Sequence, residues 1–234
     1  MAKLKVMCAR SMHVAVGALG RAFAEASGHA VAFDFGTVGA LQAKLDAGEG
    51  ADVLILSVPA IDKLEQAGRL APGSRRDVAR TFIAVCIRAG APIPDIATPE
   101  AFKQALVKAH AIAFSDAAVG GSAGVYLVGM FERMRLAAMI REKGLPQQTG
   151  AEVARRVVEG KAELGLTLSG EVASVEGAAI AGALPPPLGQ DTIYCAAVMA
   201  GSGAKEAAAA LIAALTKAES RETWTKAGFE MADG

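Results

Sequence analysis

Short apolar runs recur along the chain, and each is followed by a stretch with helical spacing. LKVMC (4–8), AVAFDF (30–35), DVLILS (52–57), TFIAVCIR (81–88) and HAIAFS (110–115) are too short for core helices and read as buried strands. After the first, Val14, Ala18 and Ala22 with Leu19 and Phe23 mark a helix face that SGH (27–29) ends. Gly36-Thr37-Val38-Gly39 opens a second helix through Leu45, and Pro59 sits in the first turn of a third. Strand, helix and strand joined by tight turns mean βαβ units and a parallel sheet.

The later chain repeats the alternation. Thr98 caps a helix that has Pro99 at its first position, and the GGSAG turn (120–124) opens a long helix to about Arg141. A helix at 150–159, a strand at 163–167, a strand at 191–199 and helices at 204–217 and 219–227 follow. APGSRRDVAR (71–80) is polar and turn-rich, and ALPPPLGQ (183–190) cannot be regular structure. Crossings near 80 and 190 divide the chain into two α/β lobes that share a cleft. Residues 1–82 with 191–234 form the first lobe, and 83–190 form the second.

Composition narrows the chemistry. The 234 residues are 53% hydrophobic but only 5% aromatic, which suits Ala-rich helices packed on β-branched strands. Twenty-four basic residues balance 24 acidic ones, so no broad field attracts nucleic acid or an anionic membrane surface. No apolar stretch is long enough for membrane insertion. Cys8, Cys86 and Cys195 lie in apolar runs outside any CxxC pair, and His13, His29 and His110 are scattered, so no metal site is expected. MAKLKVMCAR moves directly into a strand without a secretory core. The expected location is cytoplasmic as the chain stands, or periplasmic if a leader was removed.

Three strand-to-helix turns are small or hydroxylic: ARS (9–11), GTVG (36–39) and GGSAG (120–124). Ligands of open parallel sheets collect at the carboxyl ends of strands. A helix N-terminus there offers unpaired N–H groups and partial positive charge to an anion. Ser11, Thr37 and Ser122 add hydroxyls; singly, each is also an ordinary helix cap. GxxxxGK[ST], GxGxxG after a strand and GxSxG are all absent, so neither a phosphate loop, a dinucleotide cofactor nor a serine nucleophile elbow is expected.

The order of these motifs resembles the type II periplasmic binding proteins, most closely their molybdate-binding branch. Residues 6–57 are similar to that branch's opening half, with its strand–AAS–helix start, FGxSGxL turn and GxxADVxxS strand. SAGVY (122–126), AEVARRVVEGKAELGLTLSGEV (151–172) and LPPPLGQDTIYCAAVM (184–199) follow in the expected order. The resemblance implies an α/β, two-lobed fold, each lobe a mostly parallel sheet flanked by helices. It implies a small-molecule anion held by hydroxyls and backbone N–H groups. Carried across, Ser11 keeps its hydroxyl, while Ala123 and Val153 match backbone donors. The second hydroxyl position falls on Val38, beside Thr37, and the usual tyrosine position falls on Leu168. Two hydroxyls are thus replaced, which argues against molybdate or tungstate.

Arg10 stands where the family has a small residue. An arginine fork matches a planar carboxylate through two parallel N–H···O bonds. His13, one turn on, can take or give a proton. Two functions follow from these residues. One is a soluble substrate-binding protein capturing an organic carboxylate with Arg10, Ser11, Thr37, Val38, Ser115, Ser122, Ala123 and Val153, its partner an ABC transporter permease if exported. The other is a cofactor-free isomerase like the family's aconitate-isomerising members, with His13 as catalytic base. Cys8, Ser115 and Glu152 are weaker candidates for proton transfer.

Overall fold

The computed structural model describes residues 1–119 and 122–232, Val119 and Ser122 in their backbone only. Two compact units emerge, Met1–Arg80 with Thr192–Gly234, and Thr81–Asp191. In the first, β1 (Lys3–Ala9) lies between β2 (Ala30–Gly36) and β3 (Val53–Ser57), parallel to both. The order continues through β9 (Asp191–Val198), antiparallel to β3, to β4 (Arg76–Arg88), whose residues 79–80 also pair with β10 (Glu230–Met231).

Side-chain alternation assigns the two faces of this sheet. Val6, Cys8, Val53 and Ile55 point toward α1 (His13–Ser27), α9 (Lys205–Thr216) and α10 (Arg221–Lys226). Met7, Leu54 and Leu56 point toward α2 (Val38–Asp46) and α3 (Val58–Gln66). Burial on both faces explains why residues 6–9 and 53–56 are unbroken apolar runs.

The second unit repeats the plan. Its strands run in the order β4, β7 (Leu164–Leu168), β5 (Ile112–Ser115) and β6 (Gly144–Gln147), with β8 (Ala178–Ala183) antiparallel to β4. β5 is parallel to β6 and β7. One face packs on α4 (Pro99–Lys108), α5 (Ser122–Arg133) and α6 (Ala137–Lys143), the other on α7 (Gly150–Val158) and α8 (Ser169–Ala173). Among the described residues no helix is long and apolar enough to cross a membrane.

Several local expectations change. The buried side of α1 is Ala15, Val16, Leu19, Gly20 and Phe23, whereas Val14 is 45% exposed and Ala22 exposed. Gly20 decides the phase, because any Cβ there would collide with the Phe33 ring of β2. The long helix expected to Arg141 ends at Arg133. Arg135 adopts φ 58°, its N–H donates to Glu132 O at 2.9 Å, and Leu136 N–H donates to Phe131 O at 2.8 Å. This is a Schellman ending with arginine where glycine is usual, closed by Leu136 turning into the core. β4 starts at Arg76, inside the segment read as a turn, and β6, β8 and β10 were not anticipated.

The three thiols are free and buried. Burial pushes Cys86 and Cys195 up to about 12, with the Asp77 carboxylate adding to the effect on Cys195, and it also raises Cys8. The native protein is therefore expected to resist iodoacetamide at pH 8, with all three sites labelling only after denaturation, as read by mass spectrometry. Unfolded thiols release their protons near 9 while the folded ones hold theirs to about 12. Their contribution is therefore intact below pH 9 and is lost as pH rises through that window, lowering the melting temperature.

Candidate functional site

Strand register brings the first unit's candidates to one sheet edge. Ala9 is opposite Gly36 and Cys8 opposite Ile55. The residues after β1 (Arg10, Ser11 and His13), after β2 (Thr37 and Val38) and at the end of β3 (Ser57) therefore share the carboxyl edge. Arg10–Met12 form a single 3-10 turn that leads into α1 at His13.

Each side chain has a distinct setting. Arg10 is exposed, and no described residue pairs with its guanidinium. Ser11 is half-buried, and its Oγ lies 2.9 Å from the Tyr194 hydroxyl. Thr37 is the N-cap of α2 and accepts from Ala40 N–H at 3.2 Å, which leaves its own hydroxyl proton available. The first-turn N–H of Val38 has no preceding helical carbonyl to meet.

His13 is more defined than its exposure suggests. Its Nδ1 lies 2.9 Å from Arg10 O, and its ring stands edge-on to Phe35 at 6.2 Å. A carbonyl only accepts, so Nδ1 carries the proton in this bond. In the neutral ring Nε2 then holds the lone pair.

The second unit shows a comparable edge. Ser115 ends β5 opposite Gln147, and Phe114 lies opposite Leu166, so α5, α7 and α8 begin near one another's strand ends. Ser115 Oγ is 2.9 Å from Thr167 Oγ1, on a threonine only 1% exposed. Ala123 is buried in the first turn of α5, next to Gly124, where a Cβ would fall 2.7 Å from Ala117 N. The Ser122 side chain and Gly121 lie outside the described residues.

Three expectations need correction. Val153 is fully buried and its N–H donates to Thr149 O at 3.2 Å, so it is no free donor; Gly150 and Ala151 occupy the first turn instead. Glu152 is engaged in a capping box, accepting from Thr149 N–H at 3.1 Å. Cys8 is completely buried with its thiol held neutral, which removes it from proton transfer.

Two residues were missed. Ser57 is the N-cap of α3 but makes no capping bond, a half-buried hydroxyl at the shared edge. The signal was present in LILSVP, another strand–hydroxyl–helix turn. Tyr194 offered none, because its link to Ser11 spans 183 residues.

Comparison with known proteins places this arrangement. The family model for bacterial extracellular solute-binding proteins matches residues 4–230. An aconitate isomerase from a Pseudomonas species is 37% identical over 195 residues, covering 82% of this chain and 71% of that protein. A substrate-binding domain from Clostridium difficile, ascribed to a molybdenum ABC transporter, superposes with a TM-score of 0.80 at 16% identity over the whole of both chains. The periplasmic molybdate-binding protein of Azotobacter vinelandii gives 0.72 at 19% identity, covering 98% of this chain and all of that one. At such identities the structures speak for the fold, which is that of the periplasmic binding proteins. The chain belongs to the bacterial extracellular solute-binding protein family.

Proposed function

We propose that the chain captures a small organic anion bearing several carboxylates, at the edge where Arg10, Ser11 and Thr37 stand. Arg10 carries the reading: an exposed guanidinium without a described partner, directly before a half-buried serine at the end of a central strand. Backbone N–H groups at the starts of α1 and α2 add partial positive charge. The aconitate isomerase relative supports an unsaturated tricarboxylate as the ligand class. In an exported chain the natural partner is an ABC transporter permease.

A second reading adds chemistry, and the His13 geometry together with that relative favours it. In an allylic shift a base removes a proton from the methylene next to a carboxylate, and the electron pair spreads through the double bond. The same proton equivalent then returns at the other end, so nothing is gained or lost. His13 Nε2 is the base in this reading, and Arg10 with the helix N-termini steadies the carbanion charge.

One experiment serves both readings. Trans-aconitate and cis-aconitate are incubated with the protein in D₂O and followed by proton spectra, with titration calorimetry alongside. Binding without exchange is the outcome for a receptor. Deuterium uptake with interconversion is the outcome for an isomerase, and His13→Gln then abolishes exchange while leaving affinity within about threefold. Binding of sulfate or molybdate with no response to either tricarboxylate would overturn the carboxylate reading.

A further inference from the structure

We propose that Ser57 contacts the ligand and reads the length of the bound acid. With Thr37 and Arg10 it forms a row for a chain that carries a carboxylate at each end and one between. The inference rests on the binding reading above and assigns what selects among carboxylates there.

Strand register puts the three residues level. Ala9 is opposite Gly36 on β2, so Thr37 comes beside Arg10 where the two strands end. Cys8 is opposite Ile55 on β3, so two residues further on Arg10 draws level with Ser57. β1 lies between β2 and β3, which leaves Arg10 in the middle with a hydroxyl on either side.

Alternation fixes the side on which Ser57 stands. Val53 and Ile55 belong to the core under α1, and Ser57 is the next residue in that series. Tyr194, directly opposite on β9, belongs to the same core, and its hydroxyl is 2.9 Å from Ser11 Oγ. Ser57 therefore shares a face with Ser11.

The Ser57 hydroxyl is also uncommitted. Its backbone is that of an N-cap, with φ −63° and ψ 151°, yet its side chain makes no capping bond. Among the described residues none hydrogen-bonds this half-buried hydroxyl. Thr37, Thr98 and Thr149, at the same position of their own helices, each accept from the backbone N–H three residues on.

Spacing then sets the choice of ligand. Neighbouring strands are about 4.8 Å apart, so the two outer hydroxyls stand roughly 10 Å from each other. A hydrogen bond of about 2.8 Å at each end leaves about 4 Å or more for the ligand's own oxygens to span. A tetrahedral oxyanion has its oxygens on a single atom and is too small to reach both ends. A five-carbon chain with terminal carboxylates is long enough, and a carboxylate on its central carbon meets the Arg10 fork.

The test is calorimetry on wild type, Ser57→Ala and Ser57→Thr. Trans-aconitate is titrated directly, and malonate, whose two carboxylates share one carbon, is measured by displacing it. Ser57→Ala is expected to weaken trans-aconitate binding about tenfold, the loss of a hydrogen bond to a charged group. Malonate affinity should change by no more than about twofold, and Ser57→Thr should hold trans-aconitate within about threefold of wild type. The melting temperature of Ser57→Ala should stay close to wild type, because no capping bond is lost. Unchanged trans-aconitate affinity in Ser57→Ala, or equal losses for the two acids, overturns the role of Ser57; the site itself stands if Arg10→Ala still impairs binding. A wild-type protein that does not bind trans-aconitate overturns the site and the row with it.

Discussion

Arg10→Ala is expected to weaken tricarboxylate binding about thirty-fold, the effect of losing a charge-assisted, two-pronged hydrogen bond. Calorimetry with trans-aconitate reads it directly. The unliganded melting temperature should not move, because the guanidinium is exposed and no described residue relies on it. Arg10→Lys restores only part of the loss: an ammonium keeps the charge but not the planar fork that fits a carboxylate. Affinity should also fall with added salt, as it does for charges at a solvent-open edge. An Arg10→Ala protein that binds as wild type does would show that carboxylate recognition lies elsewhere.

The largest loss of stability is expected for Trp224→Ala, about 4 kcal/mol. The Trp224 indole is fully buried in the first unit's core, and its Nε1–H donates to Leu215 O at 2.9 Å. Alanine would leave a large void between α9 and α10 and strip a buried carbonyl of its donor. The corresponding drop in melting temperature is about 10 °C. Trp224→Phe, which fills much of the space but lacks the N–H, should lose much less. Because Trp224 supports Phe229 and Phe229 supports Tyr194, the alanine variant should also loosen the anion site. A loss below about 1 kcal/mol would mean that other side chains close the gap.

Much of the fold could be read from local pattern, and the reason is burial. Strands covered on both faces are apolar where they are buried, so VMC (6–8) and VLIL (53–56) declare themselves without regard to neighbours. Thr98 with Pro99 behaves as expected: the threonine hydroxyl accepts from Ala101 N–H at 3.1 Å. Helix phase was harder, because an alanine-rich α1 offers little contrast between its sides. Its phase depends on Phe33 filling the space above Gly20, a contact between different elements. The break at Arg135 was hidden for a related reason. FERMRLAAMI contains neither glycine nor proline, and the turn is held by Leu136 entering a core built from other parts of the second unit.

The site divides along the same line. Hydroxyls and small residues at strand ends were visible because the chain must turn there, and turn chemistry is local. Which of them are caps and which are left for a ligand was not visible. Thr37 and Ser11 look alike in sequence, yet one is bound to its own helix and the other to a tyrosine 183 residues away.

Backbone periodicity and the apolar content of each segment settled the strands, the helices and the hydroxyl-bearing turns, since these depend on neighbours in sequence. Strand pairing decided that Arg10, Ser11, Thr37, Ser57 and Tyr194 meet at one edge. Hydrogen bonds between distant segments obey geometry in space, which no local spacing encodes.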